Sequence, residues 1–219
     1  MKQVLAIHGG NFFDTRAEYL ASLKKEPMKR EDLFRDRSKR WKDNLGEDLN
    51  GGKAAGNFEV FQPEMPSPED AKYEEWKVVF EKAAAFLTGG NGGAVLVGHS
   101  LGGIFLARYL SENKLKVKIA GVFLVAAPFF KPGKKGSGHP GMRANAGFTV
   151  SDKPGFFKKL VAQSGKMAIY HSEDDKVVAA SHAKLYKKGM PEAELVTFKD
   201  RGHFRVEHFP ELVEAIRKL

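Results

Sequence analysis

A serine, a carboxylate and an imidazole that can reach one another attack carbonyl carbons, and this sequence carries all three in settings that suit the task. Ser100 lies in Gly98-His99-Ser100-Leu101-Gly102-Gly103. Upstream, Ala94 to Val97 is an apolar run of strand length; downstream, Ile104 to Leu110 has helical spacing. A strand turning through G-x-S-x-G into a helix is a nucleophile elbow. The turn is tight enough to force the serine into a strained backbone conformation that lifts its hydroxyl clear. Side chains at 98 and 102 would strike the neighbouring strand and helix, so both are glycine. The Leu101 N–H then points to where an oxyanion would form. The plainer alternative, a glycine-rich loop with a surface serine, does not account for the strand before it and the helix after it.

The remaining two groups follow in chain order. Ser172-Glu173-Asp174-Asp175 leaves the end of an apolar run, and Asp175 is the candidate acid because it directly precedes Lys176-Val177-Val178; Glu173 and Asp174 are its rivals. Of the seven histidines, only His203 combines a late strand-end loop, a preceding glycine and the right order. His99 is inside the elbow, His171 on a strand end, His182 and His208 on predicted helical segments, and His139 in a loop. His203 would take the Ser100 proton and Asp175 would hold the imidazole in the useful tautomer. A second oxyanion donor belongs in the glycine turn His8-Gly9-Gly10-Asn11, from Gly10 or Asn11, while His8 braces that turn by hydrogen bonding.

Positioning these groups requires an alternation of strands and helices. Val4–Ile7, Phe58–Phe61, Ala94–Val97, Ile119–Ala127, Lys166–His171 and Leu195–Phe198 read as strands. Helices are expected over Arg16–Lys25, capped by Asp14-Thr15 with Tyr19, Leu20 and Leu23 on one face, and over Glu31–Leu49 with Phe34, Trp41, Leu45 and Leu49 facing in. A third runs to Leu87, capped by Ser67 or Asp70, with Trp76 in the core; Ala180–Lys188 and a C-terminal helix bearing Phe209, Leu212, Val213 and Ile216 complete the set. This is an α/β chain: a three-layer α/β/α sandwich around a mostly parallel sheet, whose strand ends share one edge. One domain over 1–219 is expected, with 24–57 and 131–157 as lid or cap insertions. Phe129, Phe130, Phe148, Phe156 and Phe157 could line an apolar acyl pocket by the second insertion, Phe129 and Phe130 being the candidate substrate-binding residues; all five are equally readable as packing.

Composition narrows the chemistry. With no cysteine among 219 residues, disulfides, thiol nucleophiles and Cys-bound metals are excluded, and the sequence suits a reducing cytoplasm. No apolar run approaches a membrane span, and no cofactor or metal motif is present. The net charge of +9 has its densest source at Lys24–Lys42, including Arg35, Arg37, Lys39, Arg40 and Lys42. Interleaved acids make this a solvated helical face rather than a nucleic-acid surface.

Together, G-H-S-L-G-G at 98–103, H-S-E-D-D-K-V-V at 171–178, D-R-G-H-F at 200–204 and I-H-G-G at 7–10 resemble the α/β-hydrolase superfamily. The short chain is similar to the small serine hydrolases related to retinoblastoma-binding protein nine. The resemblance spans the chain apart from 24–57 and 131–154, and implies a Ser-Asp-His triad with esterase-type activity. In two respects the chain departs from it. Ala179 stands where a proline commonly follows D-x-V-V, and the cysteine-containing motif for retinoblastoma-type pockets is absent. The expected activity is cofactor-free hydrolysis of a small carboxylic ester, or else of an amide or thioester, through an acyl-enzyme on Ser100. The competing reading is a non-catalytic protein-interaction module on the same scaffold; a third is a basic binder of nucleic acid or anionic surfaces.

Overall fold

Strands short enough to be buried on both faces build the centre of the molecule. A computed structural model describes residues 1–13, 15–25, 27, 40–52, 57–90, 92–132 and 146–219. Asp14, Phe34, Arg35, Arg37, Lys39 and His139 lie outside the described residues. Six strands, β1 (Lys2–Ile7), β2 (Phe58–Phe61), β3 (Ala94–His99), β4 (Ile119–Val125), β5 (Ser164–Ser172) and β6 (Glu194–Phe198), form one sheet in the order β2-β1-β3-β4-β5-β6. Every pairing is parallel. All six β3 residues are buried, whereas the edge strands β2 and β6 are only partly covered, as expected of a sheet sandwiched between helices.

Each face has its own core. On one lie helices α3 (Tyr73–Ala84), α4 (Leu101–Glu112), α5 (Lys158–Gln163) and α6 (Ser181–Gly189), with Trp76, Phe80, Phe105 and Tyr186 buried. On the other, α2 (Trp41–Asn50) and α7 (Pro210–Arg217) bury Trp41, Leu45, Leu49, Phe209, Leu212 and Ile216. Helix α1 (Arg16–Lys25) buries nothing: Leu20 and Leu23 are exposed, contrary to the inward face expected of them. Its start is held by a reciprocal pair, Glu18 N–H to Thr15 Oγ1 and Thr15 N–H to Glu18 Oε2.

Other boundaries differ from the sequence reading for local reasons. Helix α3 begins at Tyr73, and neither Ser67 nor Asp70 caps it. The Asp70 carboxylate instead accepts from the Phe13 N–H and pairs with Lys72. Within 24–57, α2 is an outer-layer helix whose Trp41-Leu45-Leu49 stripe is committed to the core. From Ala146 the second insertion also joins the core: Phe148, Val150 and Phe157 are buried.

The strand order fixes where a ligand can enter. Chain connections leave β1 toward β2 on one side and return to β3 on the other, so a crevice opens between the carboxyl ends of β1 and β3. The loop after β1 is His8-Gly9-Gly10, and the residue after β3 is Ser100.

Candidate active site

Ser100 joins β3 to α4 with φ 53° and ψ −120°, a left-handed conformation that an L-residue adopts only when its surroundings impose it. Its N–H is tied to Val125 O of β4 at 2.8 Å. The flanking glycines are required by contact. A Cβ at Gly98 would lie 2.5 Å from Gly102 O, and one at Gly102 would lie 2.3 Å from Ile7 O and 2.6 Å from His8 O. Because all these neighbours are backbone, Gly102→Ala is expected to cost about 2–3 kcal/mol, read as a lower midpoint of urea unfolding.

Asp175 and His203 meet beside this turn. His203 Nδ1 donates to Asp175 Oδ2 at 2.8 Å, and the other carboxylate oxygen accepts the N–H groups of Val177 (2.8 Å) and Val178 (2.9 Å). His171 Nε2 donates to Val178 O at 2.8 Å and stands 3.9 Å from Asp175 Oδ2, closing the loop around the acid. Asp174 does a different job: it accepts from Ser172 Oγ and Gly202 N–H, splinting the loop after β5 to the loop after β6. A cleft of about 540 Å³ opens over Ser100 and is lined by His203, Leu101, Gly10, Asn11 and Phe130 among others.

The sequence matches the serine hydrolase family over residues 35–217. The chain belongs to the serine hydrolase family. No curated protein matches it. Among solved structures it is similar to the ydeN gene product of B. subtilis (19% identity, TM-score 0.63, covering 100% of this chain and 98% of that one). It also resembles the meta-cleavage product hydrolase CumD of Pseudomonas fluorescens (13%, TM-score 0.58, 100% and 90%) and Est1E of Butyrivibrio proteoclasticus (17%, TM-score 0.57, 100% and 86%). At these identities the likeness establishes the α/β-hydrolase fold.

Several predicted site residues of this serine hydrolase occupy other roles. The Asn11 N–H is spent on Pro68 O at 2.7 Å, so of the two residues considered as second oxyanion donor only Gly10 remains. Gly10 must be glycine, since a Cβ there would lie 2.5 Å from Pro68 O. Phe129 is not part of the cleft wall; its ring packs edge-on against Tyr186 and Phe157 in the core, while Phe130 reaches the cleft. His182, in helix α6, accepts the Phe129 N–H on Nδ1, and His208 precedes α7 in a loop, pairing with Asp48. His8 accepts the Met65 N–H on Nε2 (2.9 Å), so its Nδ1 carries the proton and donates to Gly9 O (2.6 Å), fastening the turn to the loop after β2.

Lys42 was hidden in the sequence among the charges of an apparently solvated face, yet it lines the cleft. Its ammonium lies 3.1 Å from His99 Nδ1. His99 Nε2 donates to His203 O at 2.9 Å, which leaves Nδ1 as the acceptor. Burial, then the nearby charge of Lys42, keeps the His99 ring neutral by pushing its pKa well down. Burial and the neighbouring Arg40 lower Lys42 itself to about 8. The inward stripe of Trp41, Leu45 and Leu49 was the sequence signal that this helix lies against the sheet.

The acid has a pH signature. Burial pushes the Asp175 carboxyl up, but hydrogen bonds from His203 and from the Val178 and Val177 N–H groups outweigh it and hold the pKa below the ordinary value. A depressed carboxylate stabilises the fold above its unfolded pKa of about 4, and that contribution is lost as pH falls through the folded value. Urea unfolding from pH 6 down to pH 3 should therefore show falling stability, with a shallower fall in Asp175→Asn.

Proposed function

We propose that this serine hydrolase cleaves small carboxylic esters through an acyl-enzyme on Ser100, without a cofactor. The observation that carries this reading is the 2.8 Å bond from His203 Nδ1 to a buried Asp175, opening on the same cleft as the strained Ser100. Holding the Nδ1 proton on Asp175 leaves Nε2 as the basic nitrogen. Nε2 takes the Ser100 hydroxyl proton as Oγ bonds to the ester carbonyl carbon. The C–O bond to the alcohol then breaks and the alcohol departs with that proton. Water attacks the acyl-serine, giving a proton to Nε2 that returns to Ser100 Oγ as the carboxylic acid leaves.

The developing oxyanion is assigned to the N–H groups of Leu101 and Gly10. Leu101 opens α4, where N–H groups lack intrahelical acceptors, and each such donor is worth about 2.7–4 kcal/mol in related sites. Amides and thioesters follow the same route with a different leaving group. Two structural neighbours, described as a meta-cleavage product hydrolase and an esterase domain, accord with hydrolytic chemistry at this position. Residues 24–57 and 131–157 are proposed to set access to the cleft: Arg40–Asp43, in the first, and Phe130, immediately before the second, line it. Among the described residues no helix is long and apolar enough to cross a membrane, and the lack of cysteine leads us to place the protein in the cytoplasm.

The test is pre-steady-state hydrolysis of p-nitrophenyl butyrate. An acyl-enzyme predicts a p-nitrophenol burst of about one equivalent per protein when deacylation is slow. Steady turnover that survives Ser100→Ala would remove the reading.

A further inference from the structure

The cleft over Ser100 is chemically two-ended. Its apolar lining, Phe12, Met65, Leu101 and Phe130, belongs to the core on the α4 face of the sheet. Its cationic lining, Arg40, Lys42 and Arg205, flanks Trp41 and Phe204, which belong to the core on the α7 face. Ser100 sits on the strand end between the two.

The cations are unequally committed. Arg40 is paired with Asp43 at 2.6 Å. Glu69 accepts from Asn11, and Glu64, the remaining acid of the cleft, acts on His8. Among the described residues no carboxylate lies within ion-pair distance of Lys42 or Arg205. The partner of the Lys42 ammonium is the ring of His99, the residue immediately before the serine. A largely desolvated ammonium that faces a neutral imidazole, is repelled by Arg40 and Arg205 and feels only an Asp43 already paired with Arg40 is short of negative charge.

We infer that the substrate supplies it: the natural ester carries an anionic group, a carboxylate on one of its two substituents, which pairs with Lys42 and Arg205 while the other, apolar substituent lies against Phe12 and Phe130. The inference rests on the ester-hydrolase reading and makes Lys42 its specificity-determining residue. His99 places the ammonium one residue from the nucleophile, so the anion would sit close to the scissile carbonyl and short dicarboxylate half-esters are the expected class.

The experiment compares matched pairs: 4-nitrophenyl hydrogen succinate, glutarate and adipate against their methyl esters, and 4-carboxyphenyl butyrate against phenyl butyrate. At low ionic strength kcat/KM should favour the anionic member of at least one pair by roughly tenfold, chiefly through KM. Lys42→Met should collapse that ratio, Lys42→Arg should keep most of it, and Arg205→Gln, an exposed position that spares the fold, should reduce it. Turnover of the neutral esters with no anionic preference in any pair overturns this inference and leaves the ester-hydrolase reading standing. A preference that survives Lys42→Met and Arg205→Gln overturns the assignment to these residues. Failure to hydrolyse any of the esters overturns both readings.

Discussion

Ser100→Ala is expected to reduce kcat for p-nitrophenyl butyrate by about 10⁶-fold, to the level left by binding and oxyanion stabilisation alone. The expectation follows from what alanine keeps and what it removes. Alanine keeps the Cβ, and with it the φ 53° backbone and the packing of Gly9 against the elbow, where a Cβ on Gly9 would lie 3.0 Å from the Ser100 Cβ. It removes only the oxygen that attacks. Stability should therefore change by no more than about 0.5 kcal/mol. Urea titrations of the two proteins should superimpose while their turnover differs by orders of magnitude; a comparable loss of stability would mean that the serine served the fold instead.

Asp175→Asn should lower kcat by about 10⁴-fold through the tautomer of His203. The Asp175 carboxylate accepts on both sides: from His203 on one oxygen, and from the Val177 and Val178 N–H groups on the other. An amide offers one oxygen. If that oxygen keeps the two backbone donors, the new NH2 faces His203 Nδ1, which must then accept; the ring proton moves to Nε2 and the base is lost. Asp174→Asn provides the contrast. Asp174 bonds Ser172 and the Gly202 N–H rather than the imidazole, so its loss should loosen the loop with less than a tenfold effect on kcat. Equal effects at the two positions would contradict the separate roles assigned to them.

The sheet and the candidate triad were legible because both leave local signals. Buried parallel strands read as short apolar runs, and the elbow needs glycine where backbone comes within 2.3–2.5 Å of where a side chain would begin. What escaped was set by partners distant in sequence. Asn11 looked fit to donate to an oxyanion until Pro68 O took its N–H, and Asp70 looked like a helix cap until Phe13 and Lys72 engaged it. Phe129 and Phe130 are adjacent and chemically identical, yet only Phe130 faces the cleft, because the α6 residues His182 and Tyr186 hold Phe129 inward. Helix α5 offered too short a pattern to read, since of its six residues only Leu160 is fully buried. Lys42 was indistinguishable by composition from its solvated neighbours; burial beside His99 gave it a different character.

The account turns on Ser100 being a nucleophile activated by His203, and covalent labelling tests that most directly. Folded protein treated with a fluorophosphonate at pH 7.5 should gain the mass of one phosphonyl group, located on Ser100 by peptide mass spectrometry. His203→Ala should slow the labelling by at least a hundredfold. An unmodified protein, a label on another residue, or labelling of Ser100 at an undiminished rate in His203→Ala would contradict the account.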